Sequence, residues 1–195
     1  MKEYSFNFLE EVEQAQIDLN DYKHDYTTGN PALYVGTYRK YNDGDLTGMW
    51  VDLVSCGDYD TFCEVCRELH KDEEEPEFMY QDCDNVPEQW YSECGMDEET
   101  FDRIIEWAEL DEDERKAFEA YMDIRGKEVT INNFRDDYCG EWHSEEEFTE
   151  QLIEDCCILD GVPEHLKSYF DVQKYSDDLF RWDYDFCDGF VFRVS

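Results

Sequence analysis

Positive charge is scarce in this sequence. Sixteen Lys and Arg stand against 53 Asp and Glu, so the formal net charge is -37 over 195 residues. Binding to phosphates requires Lys and Arg, and we therefore expect no direct binding of nucleic acid. Because repulsion between like charges destabilises a compact protein, we expect a charge of this size to serve the function itself.

Long apolar stretches are also missing. No segment reaches the roughly 20 apolar residues of a transmembrane helix. The N-terminal MKEYSFNFLEEVEQ has neither the charged start nor the apolar run of a signal peptide. These absences exclude a membrane protein and favour the cytoplasm. The nine cysteines, odd in number and irregularly spaced, fit that compartment, where thiols stay reduced.

Catalytic motifs are absent as well. The sequence contains no GxSxG, P-loop or GxGxxG pattern, and its four histidines share no motif. Catalytic carboxylates need unlike environments, but among 53 acids some pair is always close and no pair stands out. We predict that the protein is not an enzyme and uses no cofactor.

Two kinds of pattern suggest a metal site, and both are weak. Cys63-Glu-Val-Cys66 is a single CxxC, whereas a zinc site needs four ligands. The nearest further ligands are Cys56 and His70, and buried structural thiols are the better interpretation. Two acidic runs lack the twelve-residue calcium loop with its central Gly, and they lie at Asn42–Asp45 and Asp111–Glu114. We predict no metal.

Few prolines and many aromatic residues indicate a folded chain. Strong acidity often accompanies disorder, but only four Pro occur and 16% of the residues are aromatic. Buried aromatic rings contribute large apolar areas. The charge is not confined to a tail, because the net charges are -5, -12, -8 and -12 for residues 1–30, 31–94, 95–130 and 131–195. Any folded surface is therefore expected to be negative along its length.

Hydrophobic spacing predicts an α+β fold. Residues 1–30 are predicted to form a helical extension. The apolar positions Phe8 or Leu9, Val12, Ala15 or Gln16 and Leu19 have approximately helical spacing, and a break follows at Thr27–Pro31. In residues 31–94 we predict a hairpin with an extended loop, then a helix and a third strand. The hairpin strands are predicted at Ala32–Tyr38 and Met49–Leu53, and the third strand at Glu77–Asp84. The helix is predicted from Asp58 or Asp60 to about His70, with Phe62, Cys66 and Leu69 inward.

Helices with aspartate caps are predicted in residues 95–130. They begin at Asp97, with Phe101, Ile104, Ile105 and Ala108 inward, and at Asp111, with Phe118, Tyr121 and Met122 inward. In residues 131–195 a capping box predicts a further helix. The capping box is Ser144–Glu147. The helix carries Phe148, Leu152 and Cys156 on one face, and Asp160-Gly161 closes it. A short helix then follows Pro163, with apolar Leu166, Tyr169 and Phe170, and a hairpin from Leu179 turns at Asp188-Gly189.

Two segments resemble a known family. Residues 33–53, LYVGTYRKYNDGDLTGMWVDL, combine two strands with a loop motif carried by Lys40, Tyr41, Asn42, Gly44, Leu46, Gly48 and Trp50. With this motif the chain resembles the ArdA family of antirestriction proteins. Its C-terminal end resembles the same family at Val162, Pro163, Leu166, Tyr169, Asp171, Tyr175, Asp178, Leu179 and Gly189 to Val194. The resemblance covers about residues 31–195, and residues 1–30 are additional.

The resemblance implies a fold and a function. The fold is an elongated chain of three small domains, namely a sheet plus helix (31–94), an acidic helical bundle (95–130) and a sheet plus helices (131–195). The last domain would form a homodimer, with candidate contacts near Trp142, Phe148 or Tyr169, each of which is equally a core candidate. Such proteins mimic bent B-form DNA in the DNA-binding groove of type I restriction–modification enzymes. They inhibit restriction, and some inhibit modification, so that a mobile element escapes cleavage.

Candidate phosphate-mimicking carboxylates follow from helical spacing. Positions i and i+4 lie about 6 Å apart on one helix face, close to the spacing of phosphates along one strand. The candidates are Glu98, Asp102, Glu106 and Glu109, then Glu146, Glu150 and Glu154, and as a continuation Glu73, Glu74, Glu75 and Glu77. The alternative function is an acidic adaptor or chaperone that binds basic proteins without DNA mimicry and needs no such spacing.

Overall fold

The structure is a computed structural model that describes residues 17–194. Within this range the chain is α+β, as predicted, with two small antiparallel sheets. The strands are β1 (Ala32–Thr37), β2 (Met49–Asp52), β3 (Phe78–Asp84), β4 (Tyr138–Glu141), β5 (Tyr184–Cys187) and β6 (Phe190–Arg193). The helices are α1 (Tyr38–Asn42), α2 (Leu53–Cys56), α3 (Tyr59–Leu69), α4 (Glu98–Ala108), α5 (Glu112–Arg125), α6 (Ile131–Asp137), α7 (Glu145–Asp155), α8 (Glu164–Lys167) and α9 (Val172–Trp182).

Contacts within the chain define two compact units. The first comprises residues up to Asn85 together with Ser92–Gly95, and the second comprises Val86–Tyr91 and the residues from Met96 onward. The division into domains at residues 31–94, 95–130 and 131–195 stays a prediction.

The first unit is built on the sheet β2-β1-β3. The predicted hairpin is confirmed, since β1 pairs antiparallel with β2 and Val35 lies opposite Met49. The third strand is confirmed as β3, paired with the other edge of β1. Of the two predicted caps, Asp58 and Asp60, it is Asp58 that begins helix α3, because its side chain accepts the N–H of Thr61.

The hairpin loop differs from the prediction. We expected an extended loop, but its first residues form the short helix α1. Thr37 begins this helix, because its side chain accepts the N–H of Lys40. The chain leaves the helix through Gly44, whose φ of 78° is in the left-handed region that glycine tolerates.

The residues before β1 pack on the first sheet. Of the predicted N-terminal helix, Leu19 lies in a short 3-10 helix, Leu19–Tyr22, and Phe8, Leu9, Val12, Ala15 and Gln16 lie outside the described residues. Lys23 then bridges to Val51 of β2, and the N–H of His24 donates to the carbonyl oxygen of Trp50 at 3.0 Å. This part of the extension therefore belongs to the first unit.

Helices α4 and α5 of the second unit begin where predicted. Asp97 caps α4, and Asp111 caps α5 in a complete capping box with Glu114. The aromatic core of the unit forms around buried Phe118, whose ring centroid lies 5.4 Å from that of Phe134 in α6. Helix α6 and strand β4 were not individually predicted.

The C-terminal hairpin is confirmed, but its start was misassigned. Cys187 lies opposite Phe190, and the chain turns at Asp188-Gly189 with φ of 50° and 91°, as two-residue hairpin turns require. The predicted strand start at Leu179 is wrong, because Leu179 lies in α9 and is buried. The hairpin strand begins at Tyr184, and β6 pairs with β4 on its other edge.

Two details of the predicted α7 are corrected. Ser144 caps the helix, but the carboxylate of Glu147 accepts the N–H of His143 at 2.8 Å, so the reciprocal bond of a capping box is displaced by one residue. Cys156 was predicted on the apolar face, yet it is exposed because the helix ends at Asp155. Ile153 and Phe148 are the buried apolar residues of α7.

Candidate functional site

Helix α4 presents a row of carboxylates to solvent. Glu98, Asp102, Glu106 and Glu109 are all exposed and form what we call the α4 row. The opposite side of the helix is fixed in the core by Phe101, Ile104 and Trp107. Since four residues rise about 6 Å along a helix, buried packing on one side holds the carboxylates on the other at regular intervals.

The α4 row forms no ion pair with any of the residues that the structure describes. Within residues 17–194, the ion pairs near α4 involve other acids, because Arg103 contacts Glu99 at 2.8 Å and Glu128 at 3.0 Å. The helix start is fixed by Asp97, and hydrogen bonds from the side chain and backbone of Thr100 lower the pKa of the Asp97 carboxyl. The row therefore stands on a capped helix with its negative charge uncompensated.

Helix α7 carries the second predicted row. Glu146, Glu150 and Glu154 are exposed, and we call them the α7 row. Glu150 and Glu154 also line a recess of about 470 Å³, together with Ile153, Phe170 and Lys167. The cation of this recess, Lys167, forms an ion pair with Glu164 at 3.1 Å, outside the α7 row.

The third predicted group is not uniform. Glu74, Glu75 and Glu77 are exposed in the first unit between α3 and β3. Glu73 is buried and accepts the Thr37 hydroxyl at 2.6 Å, so the expectation that it faces outward is wrong. A buried carboxylate needs such partners, and Glu73 is therefore a structural residue.

Arginines of the second unit point toward the protein's own backbone and acids. The Arg115 guanidinium lies 4.6 Å from the ring centroid of Trp107 and donates to the carbonyl of Ala108. Arg125 donates to Asp185 at 2.7 Å and to the carbonyl of Arg193 at 3.1 Å. These contacts show that the two cations stabilise the fold.

Some acids have structural roles that sequence reasoning did not assign. Asp137 is buried and accepts the Tyr121 hydroxyl at 2.7 Å. This contact brings together α5 and α6, and no local pattern reveals it. Glu119 on α5 is exposed, yet partial burial of its carboxyl and the neighbouring Asp123 carboxylate raise its pKa.

The surroundings of the Cys63–Cys66 pair do not favour zinc binding. Burial raises the pKa of Cys66 well above its ordinary value, which disfavours the thiolate that zinc binds. Both ring nitrogens of His70 have other partners, Nδ1 at 3.1 Å from Lys40 Nζ and Nε2 at 3.3 Å from the carbonyl oxygen of Val35. In the described part of the chain, no group of His, Cys, Asp and Glu is arranged to hold a metal ion.

The loop motif of the first unit serves structural and surface roles. Lys40 pairs with Asp72 at 2.9 Å, and a Cβ at Gly48 would collide with the ring of Tyr34 and the carbonyl of Val35. Trp50 packs against Tyr34 with ring centroids 5.6 Å apart. Four motif residues are exposed, namely Tyr41, Asn42, Gly44 and Leu46, and Asn42 ends α1.

The predicted dimer contacts differ in exposure. Phe148 is buried and Trp142 is half-buried, so both contribute to packing within the second unit. Tyr169 is 82% exposed. Sequence reasoning did not identify a further exposed ring, that of Trp182 at the end of α9, which is 72% exposed.

The described residues form a small α+β protein with rows of exposed carboxylates on its helices. The family model for antirestriction protein (ArdA) matches residues 33–191. The chain therefore belongs to the ArdA family of antirestriction proteins, which are inhibitors of restriction–modification enzymes and are not known as enzymes. A comparison with curated proteins gave no match. No helix among residues 17–194 is long and apolar enough to cross a membrane.

Proposed function

We propose that this protein occupies the DNA-binding groove of a type I restriction–modification enzyme by presenting carboxylates in place of DNA phosphates. Membership of the antirestriction family supports the target class. The α4 row carries the proposal, because its four exposed carboxylates are regularly spaced on a capped helix and lack ion-pair partners among the described residues.

The total charge also supports binding to a DNA-binding groove. DNA carries one charge per roughly 1.7 Å of helix axis, so the net charge of -37 corresponds to roughly 60 Å of duplex at that density. A groove lined with Lys and Arg attracts such a surface from a distance and accelerates encounter. The inhibitor needs no catalytic residue and no direct contact with nucleic acid.

Further parts of the proposal concern its biological setting. We infer that the protein acts in the cytoplasm on behalf of an incoming mobile element and inhibits restriction and, in some pairings, modification. We also infer a homodimer formed through the C-terminal part of the second unit. Tyr169 and Trp182 are exposed in this part of the unit, and they are the candidate contact residues of the dimer.

Competition for a type I methyltransferase tests the proposed function. A fluorescent duplex containing the recognition site is bound to the methyltransferase, and the inhibitor is added in increasing amounts. We expect displacement of the duplex at stoichiometric amounts, with release that weakens as salt increases. Failure to displace DNA from several type I methyltransferases would contradict the proposal.

A basic protein that binds DNA by another mode is the control. A histone-like protein takes the place of the methyltransferase in the same titration. A DNA mimic fitted to a groove should displace DNA from the methyltransferase at much lower concentration than from the histone-like protein. Equal potency against both would instead support the adaptor or chaperone alternative.

A further inference from the structure

One face of the first sheet carries aromatic side chains that the core does not cover. Leu33, Val35 and Val51 are fully buried. Tyr34 and Trp50 lie on the opposite face, because side chains alternate along a strand. They are direct partners in the strand register, their ring centroids are 5.6 Å apart in an edge-to-face arrangement, and both are half-buried.

Two further side chains extend this surface. The ring of Tyr26, 65% exposed, lies 6.2 Å from that of Trp50. Leu46 is 61% exposed, and its carbonyl accepts the Tyr34 hydroxyl at 2.8 Å. We call Tyr26, Tyr34, Leu46 and Trp50 the aromatic face.

Neighbouring residues fix the positions of two rings of the aromatic face, those of Tyr26 and Tyr34. His24 is buried, and its Nε2 lies 2.9 Å from Asp84 Oδ2. Its ring centroid lies 4.7 Å from that of Tyr26, so the fixed His24 orients Tyr26. Gly48 allows Tyr34 to approach closely, because any Cβ there would collide with the tyrosine ring. Fixed aromatic rings provide contact area at a low entropic cost.

Exposed acids neighbour the aromatic face in strand register or in sequence. Asp82 lies opposite Tyr34 in the strand register, Asp25 precedes Tyr26 and Asp45 precedes Leu46, and all three acids are exposed. Aromatic rings attract cations to their faces, and the planar guanidinium of Arg stacks on rings while donating hydrogen bonds to carboxylates. The net charge of -37 opposes an acidic partner.

We propose that the aromatic face is a docking site for arginine side chains on a protein partner. It is a site additional to the carboxylate rows. The identity of that partner as a restriction–modification enzyme rests on the proposed function, whereas the arginine chemistry rests on the aromatic face alone. Because stacking depends less on ionic strength than exposed ion pairs do, this site retains binding energy at high salt.

Paired surface substitutions test the site in the complex. The variant Tyr26→Ala with Leu46→Ser changes two exposed side chains of the aromatic face, and Trp50→Leu removes its central ring. Ile158→Ser with Val54→Ser is the matched control, since both residues are exposed elsewhere. We expect affinity for a type I methyltransferase to fall about tenfold in the first two variants at both low and high salt. A change below about twofold, the control's expected range, would overturn the docking site.

A second experiment needs no enzyme. The protein is labelled with 5-fluorotryptophan, and the Trp50 signal is assigned by its loss in Trp50→Phe. A peptide of alternating Arg and Gly is titrated at high salt, with a Lys-Gly peptide of equal charge as control. We expect the Trp50 signal to shift more with the Arg peptide. A Trp50 signal that stays fixed while other tryptophan signals move would contradict the proposal.

The combined outcomes separate the two proposals. If the unsubstituted protein fails to bind methyltransferases but Trp50 responds to the Arg peptide, the proposed function fails and the docking site stands. If the enzyme binds the aromatic-face variants like the control and Trp50 does not respond, the docking site fails and the proposed function stands. A changed oligomeric state in Tyr26→Ala with Leu46→Ser, measured by light scattering, would show that a second copy covers the face and would overturn the proposal.

Discussion

Acidic residues in this protein have two kinds of role. Asp137 is buried and accepts a hydrogen bond from Tyr121, and burial followed by this bond raises the pKa of the Tyr121 hydroxyl to about 12. Glu98 lies in the exposed α4 row. Truncating Asp137 would remove a bond from the core, whereas neutralising Glu98 changes only the surface charge. Burial and partners therefore decide which acids are available for binding.

Cysteine reactivity provides a prediction at the residue scale. Burial raises the pKa of Cys56 to about 12, whereas Cys156 and Cys157 are exposed. Because the thiolate is the reactive form, we expect Cys156 and Cys157 to react with a thiol reagent at least about tenfold faster than Cys56 in the folded protein. Mass mapping after timed labelling measures the rates.

A matched variant and denaturation control this measurement. Cys156→Ser with Cys157→Ser should remove rapidly reacting thiols without changing the rate at Cys56. In urea all cysteines should react at similar rates, since burial is lost. Labelling of Cys56 at the rate of Cys156 in the folded protein would show that the thiol is not buried as described.

At the scale of the element, the α4 row yields a prediction about distributed charge. Single changes, such as Glu98→Gln or Asp102→Asn, should alter methyltransferase affinity by less than about threefold, because exposed charges are screened and individually contribute little. Neutralising all four residues should weaken binding by about tenfold or more and reduce its dependence on salt. Equilibrium titrations over a range of NaCl concentrations measure both effects.

The control for the α4 row removes four exposed charges elsewhere. Its changes are Asp21→Asn, Asp60→Asn, Glu64→Gln and Asp188→Asn, and all four residues are exposed and outside the predicted rows. This variant has the same net charge as the α4-row variant and should retain more affinity. Equal losses in both variants would mean that only total charge matters. A single substitution that abolished binding would also contradict the distributed arrangement.

The cap of α4 gives a prediction for stability. Asp97→Ala should lower the free energy of unfolding by about 1 kcal/mol, the usual value of such a cap, whereas Asp97→Asn should retain the cap near neutral pH. Hydrogen bonds from Thr100 lower the pKa of Asp97 in the folded state. Its ionised form therefore stabilises the fold above the ordinary pKa of about 3.9, and this contribution is lost as the pH falls through the lowered pKa.

Urea unfolding of the two Asp97 variants checks the prediction. At neutral pH the Asn variant should unfold at nearly the same urea concentration as the unsubstituted protein, and the Ala variant at a lower one. On acidification the Asn variant should lose less stability than the unsubstituted protein. If Ala and Asn are equally destabilising at neutral pH, the Asp97 side chain does not stabilise α4 by capping.

Local signals allowed correct prediction of several elements. Asp58, Asp97 and Asp111 start helices where capping residues precede an apolar periodicity, and Asp188-Gly189 forms the expected turn. The segment at Leu179 was misassigned because aromatic residues around it favour a strand locally. Tertiary burial of Leu179 together with Ser176 instead fixes α9.

In the candidate site, too, features set by local sequence could be predicted and features set by long-range contacts could not. The exposure of the α4 row could be predicted, because a helix that buries one side exposes the other. The burial of Glu73 could not, because its partner Thr37 lies 36 residues away in sequence. The aromatic face also depends on long-range contacts, since Tyr26 reaches Trp50 only after residues 23–24 pair with β2.

At the scale of the whole molecule, the few cations and the many acids are used differently. Arg103, Arg115 and Arg125 make hydrogen bonds within the second unit, so they contribute to the fold. The acids of the α4 row are exposed to solvent. This division leaves a surface able to bind a basic partner, and it also implies that repulsion limits the stability of the unbound protein.

The net charge of -37 predicts an unusual dependence of stability on salt and acid. At low ionic strength, the free energy of unfolding should increase when NaCl is added near neutral pH, because salt screens repulsion between exposed carboxylates. It should also increase as the pH falls from about 7.5 to about 5, since protonation reduces the repulsion in the compact state. Below a pH of about 4 the trend should reverse, as capping aspartates lose their ionised form.

Glu119 shows how protonation of a single acid changes the free energy of unfolding. Partial burial, and then the neighbouring Asp123, raise the pKa of Glu119 in the folded state, so the folded chain binds this proton more tightly than the unfolded chain does. Its contribution to stability is present at low pH and is lost as the pH rises through the raised pKa. Urea midpoints over the acidic pH range, at low and high salt, measure the effect, and Glu119→Gln should flatten the curve at pH values above the ordinary glutamate pKa. A midpoint that is insensitive to salt near neutral pH, or that falls on mild acidification, would show that repulsion does not limit stability.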